Sequence, residues 1–256
     1  MVNLRDLYLK YKPCIVRITT VTQAGDLYTG TGFHIGDGLI VTARHVMQET
    51  IRRTDIVGEV EVEVNRIIES VTREIDSQAL TIAKHHYHSD NKVDLVVLET
   101  DFEAHPFPNK SSREGTSTRR SVSIPIGSHV DDWIGDQFVL SKVLVMGYPL
   151  VPRSRSTVLL ATEAELNALV PSFRVPHPYY IVSSTARGGF SGAPVISATG
   201  AVVGIIVESL YGNDKPEETG FNAAITVEPL IAILVDRGTR PAWIDRDVWM
   251  RFVKGR

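Results

Sequence analysis

The sequence predicts an all-β protein made of two β-rich halves joined by a polar connection. Three observations carry this reading. Short runs dense in β-branched residues recur along most of the chain, and turns such as AGD, GDG and DNK separate several of them. A long polar, proline-containing stretch, HPFPNKSSREGTSTRR, falls near the middle.

Taken in order, residues 1–11 read as an N-terminal extension with a short helix in NLRDLYLKY. From 12 to 104, CIVRITTV, LYTGTGFHI, GLIVTARHV, EVEVEVNRI, ALTIAKHH and VDLVVLET read as strands of the first half. Residues 105–121 are poor in large apolar side chains and read as a linker. From 122 to 237 the strand pattern resumes in DQFVLSKVLVMGYPL, PYYIVSS, GAPVIS and GAVVGIIVESL. Two helices are expected within that half, one in ATEAELNALV and one in VEPLIAILVDRG with Gly238 as its stop. Residues 238–256 read as a helical extension through DRDVWMRFVKG. Trp133, Trp243 and Trp249 read as packing residues.

Composition bounds the function. With 43% hydrophobic and 22% charged residues in 256, the chain has the make-up of an ordinary globular protein. A net charge of −3, with Arg119/Arg120 and Arg153/Arg155 as the densest basic pairs, gives no nucleic-acid surface. No apolar run of about 18 residues is present, so no membrane span is expected. The single cysteine, Cys14, cannot form an internal disulfide and reads as a small buried hydrophobe. The charged N-terminus lacks a signal-peptide core, and a reducing, cytoplasmic setting is the expectation.

The stretch TARGGFSGAPV (185–195) sets Ser191 among three glycines. A serine hydroxyl is a poor nucleophile until a base accepts its proton. The usual base is an imidazole oriented by a carboxylate. His45 follows the strand GLIVTAR, and Asp94 opens the apolar VDLVVLE, where a carboxylate needs a partner. Singly, these residues also fit a tight turn, a core histidine and a strand-edge acid. Together, at spacings of 49 and 97 positions, they favour nucleophilic chemistry.

GTGFHIGDGLIVTARHV, VDLVVLE and GGFSGAPV, in that order, resemble the histidine, acid and serine segments of the chymotrypsin-fold serine proteases, bacterial HtrA-like members above all. MGYP, GAVVGIIVE and TGFNAAITVEPL extend the resemblance from about Val16 to Val235. It implies two packed six-stranded antiparallel β-barrels with the active site between them, and a serine endopeptidase acting on protein or peptide substrates without a cofactor or metal. Catalytic roles fall on His45, Asp94 and Ser191, and the oxyanion hole on the amides of Gly189 and Ser191. The resemblance also places Thr185 at the base of the primary pocket and Ser209, Gly220 and Asn222 near its walls. Val207, Glu208 and Ser209 would pair with an extended substrate. With no carboxylate at the pocket base, a neutral side chain of small or medium size is the first expectation.

The chain departs from the family's digestive members at Phe190, where those carry an Asp that pairs with a newly cut N-terminus. Packing of Phe190 in an apolar pocket is the expected substitute. Only 18 residues follow Gly238, so no PDZ-like domain is expected there. The cluster KHHYH (His85, His86, His88) reads as a loop bordering the cleft rather than a metal site. Two further readings stay open: a pseudoprotease used as a binding module, and a protease restrained by a regulatory partner docked on the 100–140 segment or the C-terminal helix.

Overall fold

The structure, a computed structural model, describes residues 3–54, 59–105, 122–127, 139–171, 177–184, 188–211, 218–238, 240, 241, 244 and 246–254. The predicted linker 105–121, apart from its first residue, lies outside them, as do Trp133, Trp243 and Thr185.

The N-terminal helix α1 (Leu4–Tyr11) is capped by the Asn3 side chain, which accepts from the Arg5 amide at 2.9 Å. It crosses to the other half of the chain, where the Tyr11 hydroxyl donates to the Gly200 carbonyl at 2.8 Å. The first half follows as β1 (Ile15–Val21), β2 (Leu27–His34), β3 (Leu39–Thr42), a single helical turn α2 (Arg44–Met47), β4 (Gln48–Thr54), β5 (Glu59–Asn65), β6 (Ile67–Arg73), β7 (Ile82–Tyr87) and β8 (Val96–Thr100). Six of these strands form one antiparallel sheet in the order β6-β1-β2-β3-β8-β7.

The first of the two expected six-stranded units is present as a half-barrel, with β6 and β7 at the ends of the strand order. The edges are drawn together only where the chain between them turns back, with Leu80 donating to the Val71 carbonyl at 2.7 Å and Arg73 to that of Gln78 at 3.0 Å. The EVEVEVN run also differs from a core strand. Among the described residues β5 pairs with β4 alone, as a separate two-stranded hairpin. In β5 the described glutamates are exposed and the described valines half-buried, so alternation gives it one weakly apolar face.

The second half contains β9 (Lys142–Gly147), β10 (Leu160–Val170), β11 (Tyr179–Val182), β12 (Pro194–Ser197), β13 (Val202–Tyr211) and β14 (Glu218–Thr226), closed as a barrel in the order β10-β11-β14-β13-β12-β9. Helices α3 (Glu228–Asp236) and α4 (Arg246–Lys254) follow. ATEAELNALV, expected as a helix, is β10. Its Ala, Glu and Leu are strong helix formers, but it is flanked by partners on both sides. Residues 160–165 pair with β9 and 166–170 with β11, placing Ala164 and Leu166 inside. Ladder bonds and alternate burial outweigh a propensity worth tenths of a kcal/mol per residue.

One apolar core fills the first sheet and continues through Leu144, Met146, Ile196 and Val202 to α3 and Trp249 of α4. A smaller one, including Val143, Val195, Ile206 and Phe190, fills the closed barrel. The two halves therefore meet along a shared apolar seam, and the site described next lies where β2, α2 and the 188–193 turn approach one another.

Candidate active site

His45 is the second residue of α2, directly after β3. Asp94 does not lie in β8, as its place in VDLVVLE suggested, but in the turn just ahead of it. From there one carboxylate grips His45 twice. Asp94 Oδ2 lies 2.6 Å from the ring Nδ1, and Oδ1 accepts the His45 backbone N–H at 2.8 Å. The first bond assigns Nδ1 as the protonated nitrogen and leaves Nε2 for proton transfer; the second fixes the backbone that carries the ring. Both side chains are about one-third exposed, at 35% and 27%, so they are reachable from the cleft.

Ser191 arrives from the other half. Its hydroxyl has the Tyr28 hydroxyl as partner at 3.4 Å, and the Tyr28 ring stands edge-on to the His45 imidazole, 6.1 Å between centroids. Tyr28 thus touches both groups, and the Arg66 guanidinium lies over its ring at 4.3 Å. Among the described residues, no hydrogen bond joins Ser191 to His45 in this substrate-free state. Such bonds commonly tighten only once substrate is bound.

The turn bearing Ser191 is fixed at every step. Gly189 has φ +102°, and a Cβ there would overlap the Tyr148 carbonyl oxygen. The Gly188 carbonyl accepts from the Leu150 N–H at 3.1 Å. Carbonyl and N–H point in opposite directions across a trans peptide, so this bond turns the Gly189 N–H away from Leu150. Among the described residues, neither the Gly189 nor the Ser191 amide has an acceptor. Phe190 between them is fully buried in the closed barrel's core. Gly192, at φ +85°, donates to the Ile206 carbonyl at 2.7 Å, and Ala193 to that of Phe190 at 2.8 Å.

Of the residues expected around the primary pocket, Asn222 is fully buried, and its side-chain amide donates to Ser184 Oγ at 2.6 Å. Ser209 pairs with Asn222 in the ladder, and Gly220 lies in β14. Val207 is buried and Glu208 exposed. Past Ile206, β13 pairs with β14 on one edge only among the described residues. A cavity of about 640 Å3 opens between Leu27, Tyr28, Leu150, Arg155 and Gly188–Gly189, next to the serine turn. A smaller one, about 430 Å3, borders His45 and Asp94 with Arg44, Gln48, Glu63 and Arg66.

Among the described residues no group of histidines, cysteines and carboxylates has the arrangement to hold a metal ion. His86 instead meets Glu99 at 2.9 Å, and His88 accepts the Asp90 amide at 3.0 Å. Burial and the neighbouring His86 hold the His85 pKa below its ordinary value. Sequence reasoning missed Tyr28, Thr31 and Leu150, all in contact with the serine turn or its hydroxyl. Thr31 had a readable signal, as the residue between the glycines of GTGF; Leu150 had none, because it acts through its backbone.

The sheet pair, the double grip of Asp94 on His45 and the glycine-held serine define a class. Residues 30–205 match the family described as the trypsin-like peptidase domain, and the chain belongs to that family: it is a hydrolase, a serine endopeptidase. No curated protein matches the chain. Among solved structures it is similar to the active form of the Rv3671c protease from M. tuberculosis, at 18% identity over 92% of this chain and 86% of that one, TM-score 0.57. The HtrA-type protease AlgW, solved with a tripeptide, shares 17% identity over 92% of this chain and 63% of its own, TM-score 0.58. The serine endoprotease from Yersinia pestis shares 18% over 92% and 66%, TM-score 0.56. At these identities the likeness is one of fold, and this chain spans about two-thirds of the last two.

Proposed function

We propose that the chain cleaves peptide bonds through a triad of Ser191, His45 and Asp94, by way of an acyl-enzyme. The observation that carries this reading is the double bond pattern of Asp94 to the ring and backbone of His45, which leaves Nε2 as the base. His45 takes the Ser191 proton as the hydroxyl attacks the carbonyl carbon, then returns it to the leaving amine, and water repeats the sequence to release the acid. Asp94 holds the imidazole and stabilises the imidazolium. The oxyanion is received by the amides of Gly189 and Ser191, which lack other acceptors among the described residues.

The acyl side of an extended peptide adds to the open edge of β13 at Val207–Ser209. By the family resemblance, its side chain would enter a pocket that includes Asn222, Ser209, Gly220 and Thr185. Asn222 is neutral and already bonded to Ser184, which favours a neutral side chain of small or medium size. The leaving side then runs past Tyr28 into the larger cavity. The tripeptide bound by AlgW supports a peptide as the substrate class.

A second reading, a protease held at rest until a partner or signal aligns its serine, is favoured by one observation. The Ser191 hydroxyl meets Tyr28 rather than His45. A fluorophosphonate probe applied to wild type, Ser191→Ala and His45→Ala decides between them. Labelling of wild type alone supports the active triad, labelling of none supports the resting enzyme, and equal labelling of Ser191→Ala refutes the assignment of the nucleophile.

A further inference from the structure

We infer that Thr31, a residue of the first half, is a positioning residue that sets the oxyanion hole of the second; this rests on the serine mechanism proposed above. The digestive-type anchor is missing here, because Phe190 stands where an acid would form an ion pair. Phe190 fixes the middle of the turn by burial, yet an apolar contact has no directional preference and cannot aim the amides on either side of it.

Thr31 supplies the direction. It lies in β2, fully buried, and all its polar groups are used. Its hydroxyl donates to the Gly189 carbonyl at 2.7 Å and accepts the Tyr148 N–H at 3.0 Å. Its own N–H donates to the Ser191 carbonyl at 2.9 Å, and its carbonyl accepts from the Thr42 hydroxyl at 2.7 Å. Thr31 therefore fixes the peptide planes that follow Gly189 and Ser191, one through its side chain and one through its backbone, and so anchors from the far side the two Cα positions whose preceding N–H groups are assigned to the oxyanion.

The surroundings are built to the same contact. A Cβ at Gly147 would come within 2.8 Å of both Thr31 Oγ1 and Phe190 Cδ1. A Cβ at Gly192 would overlap the Thr31 carbonyl oxygen. Two glycines thus allow β2 to approach the serine turn closely enough for these bonds. Thr42, three residues before His45, completes the link, so the strand that leads to the base and the turn that carries the nucleophile share one buried residue.

The test compares Thr31→Val, which keeps the volume and removes the hydroxyl, with Thr31→Ser, which keeps the hydroxyl. The readouts are kcat and KM on a peptide substrate, and the affinity of a peptidyl boronic acid, whose tetrahedral adduct fills the oxyanion hole. The expected result for Thr31→Val is a loss of about 10- to 100-fold in kcat with KM little changed, since removal of a whole oxyanion donor costs about 100- to 1,000-fold. Boronate affinity should fall in parallel, and Thr31→Ser should recover most of both. Wild-type kcat in Thr31→Val, a loss confined to KM, or a Thr31→Ser variant as impaired as Thr31→Val would overturn the inference. If Thr31→Val folds poorly, Thr31→Ser against Thr31→Ala, at a temperature where both are folded, reads the same split. Ser191→Ala assayed alongside keeps the two ideas apart: hydrolysis near the wild-type rate in that variant would sink the serine mechanism itself, whereas a fall to the small residual rate that the oxyanion hole and binding alone sustain leaves only Thr31 in question.

Discussion

Phe190→Ala separates two jobs that one side chain performs, holding the closed barrel together and holding the serine turn in place. The phenyl is fully buried among the apolar residues of that barrel's core. Truncating a buried Phe to Ala costs about 3–5 kcal/mol, from lost transfer energy and the cavity left behind. A domain with about 5–15 kcal/mol in hand stays folded at low temperature after such a loss. Stability is read from urea unfolding, and function from the second-order rate of fluorophosphonate labelling under conditions where the variant is fully native. Labelling should fall at least tenfold beyond any loss of folded protein, because residues 189 and 191 are tethered to Thr31 but the segment between them is no longer seated. Phe190→Leu, which keeps most of the volume, should cost less than about 1.5 kcal/mol if the core repacks, with labelling between the two. If native Phe190→Ala labels at the wild-type rate, the phenyl is a core residue only, and the hydrogen bonds alone position the turn.

Gly192→Ala should be nearly inactive and strongly destabilised, since φ +85° disfavours any side chain and the new Cβ would overlap the Thr31 carbonyl; a thermal midpoint equal to wild type would contradict the close approach. Glu99 makes stability depend on pH: the hydrogen bond from Arg237, at 2.7 Å from the end of α3, holds its carboxyl below the ordinary range, with His86 adding to the effect. A depressed carboxylate contributes stability that is present above its unfolded pKa, near 4.5, and lost as pH falls through the lower folded value. Because the Glu99 side chain is 31% exposed, the contribution is about 1 kcal/mol or less. Wild type should therefore lose its advantage over Glu99→Gln on acidification below that point, and parallel stability curves for the two would remove Glu99 as a clamp between β8 and α3.

What the sequence disclosed about the site was chemistry written in side chains. The glycines around Ser191 were legible because a positive φ and close backbone approach leave few alternatives. The pairing of His45 with Asp94 was legible because an acid ahead of an apolar strand has to find a partner. Strands were legible where β-branched residues dominate, as in VVGIIV. ATEAELNALV failed because its composition is that of a helix, and only its neighbours β9 and β11 make it a strand. Closure of one sheet and not the other was equally hidden, since it depends on which backbone groups meet at the edges.

The contacts that aim the site were the least legible, and for a physical reason. Leu150 acts through its N–H and Gly188 through its carbonyl, groups that every residue but proline possesses in the same form. Composition carries no trace of such a bond. Thr31 differs, because its hydroxyl is specific, yet its meaning appears only when Gly147 and Gly192 are seen clearing space on either side of it. A serine turn held by a buried phenyl and a buried threonine involves no titrating group among those contacts and no cleavage-generated terminus. On the reading proposed above, a resting enzyme would then differ from an active one in the partner of the Ser191 hydroxyl, Tyr28 or His45.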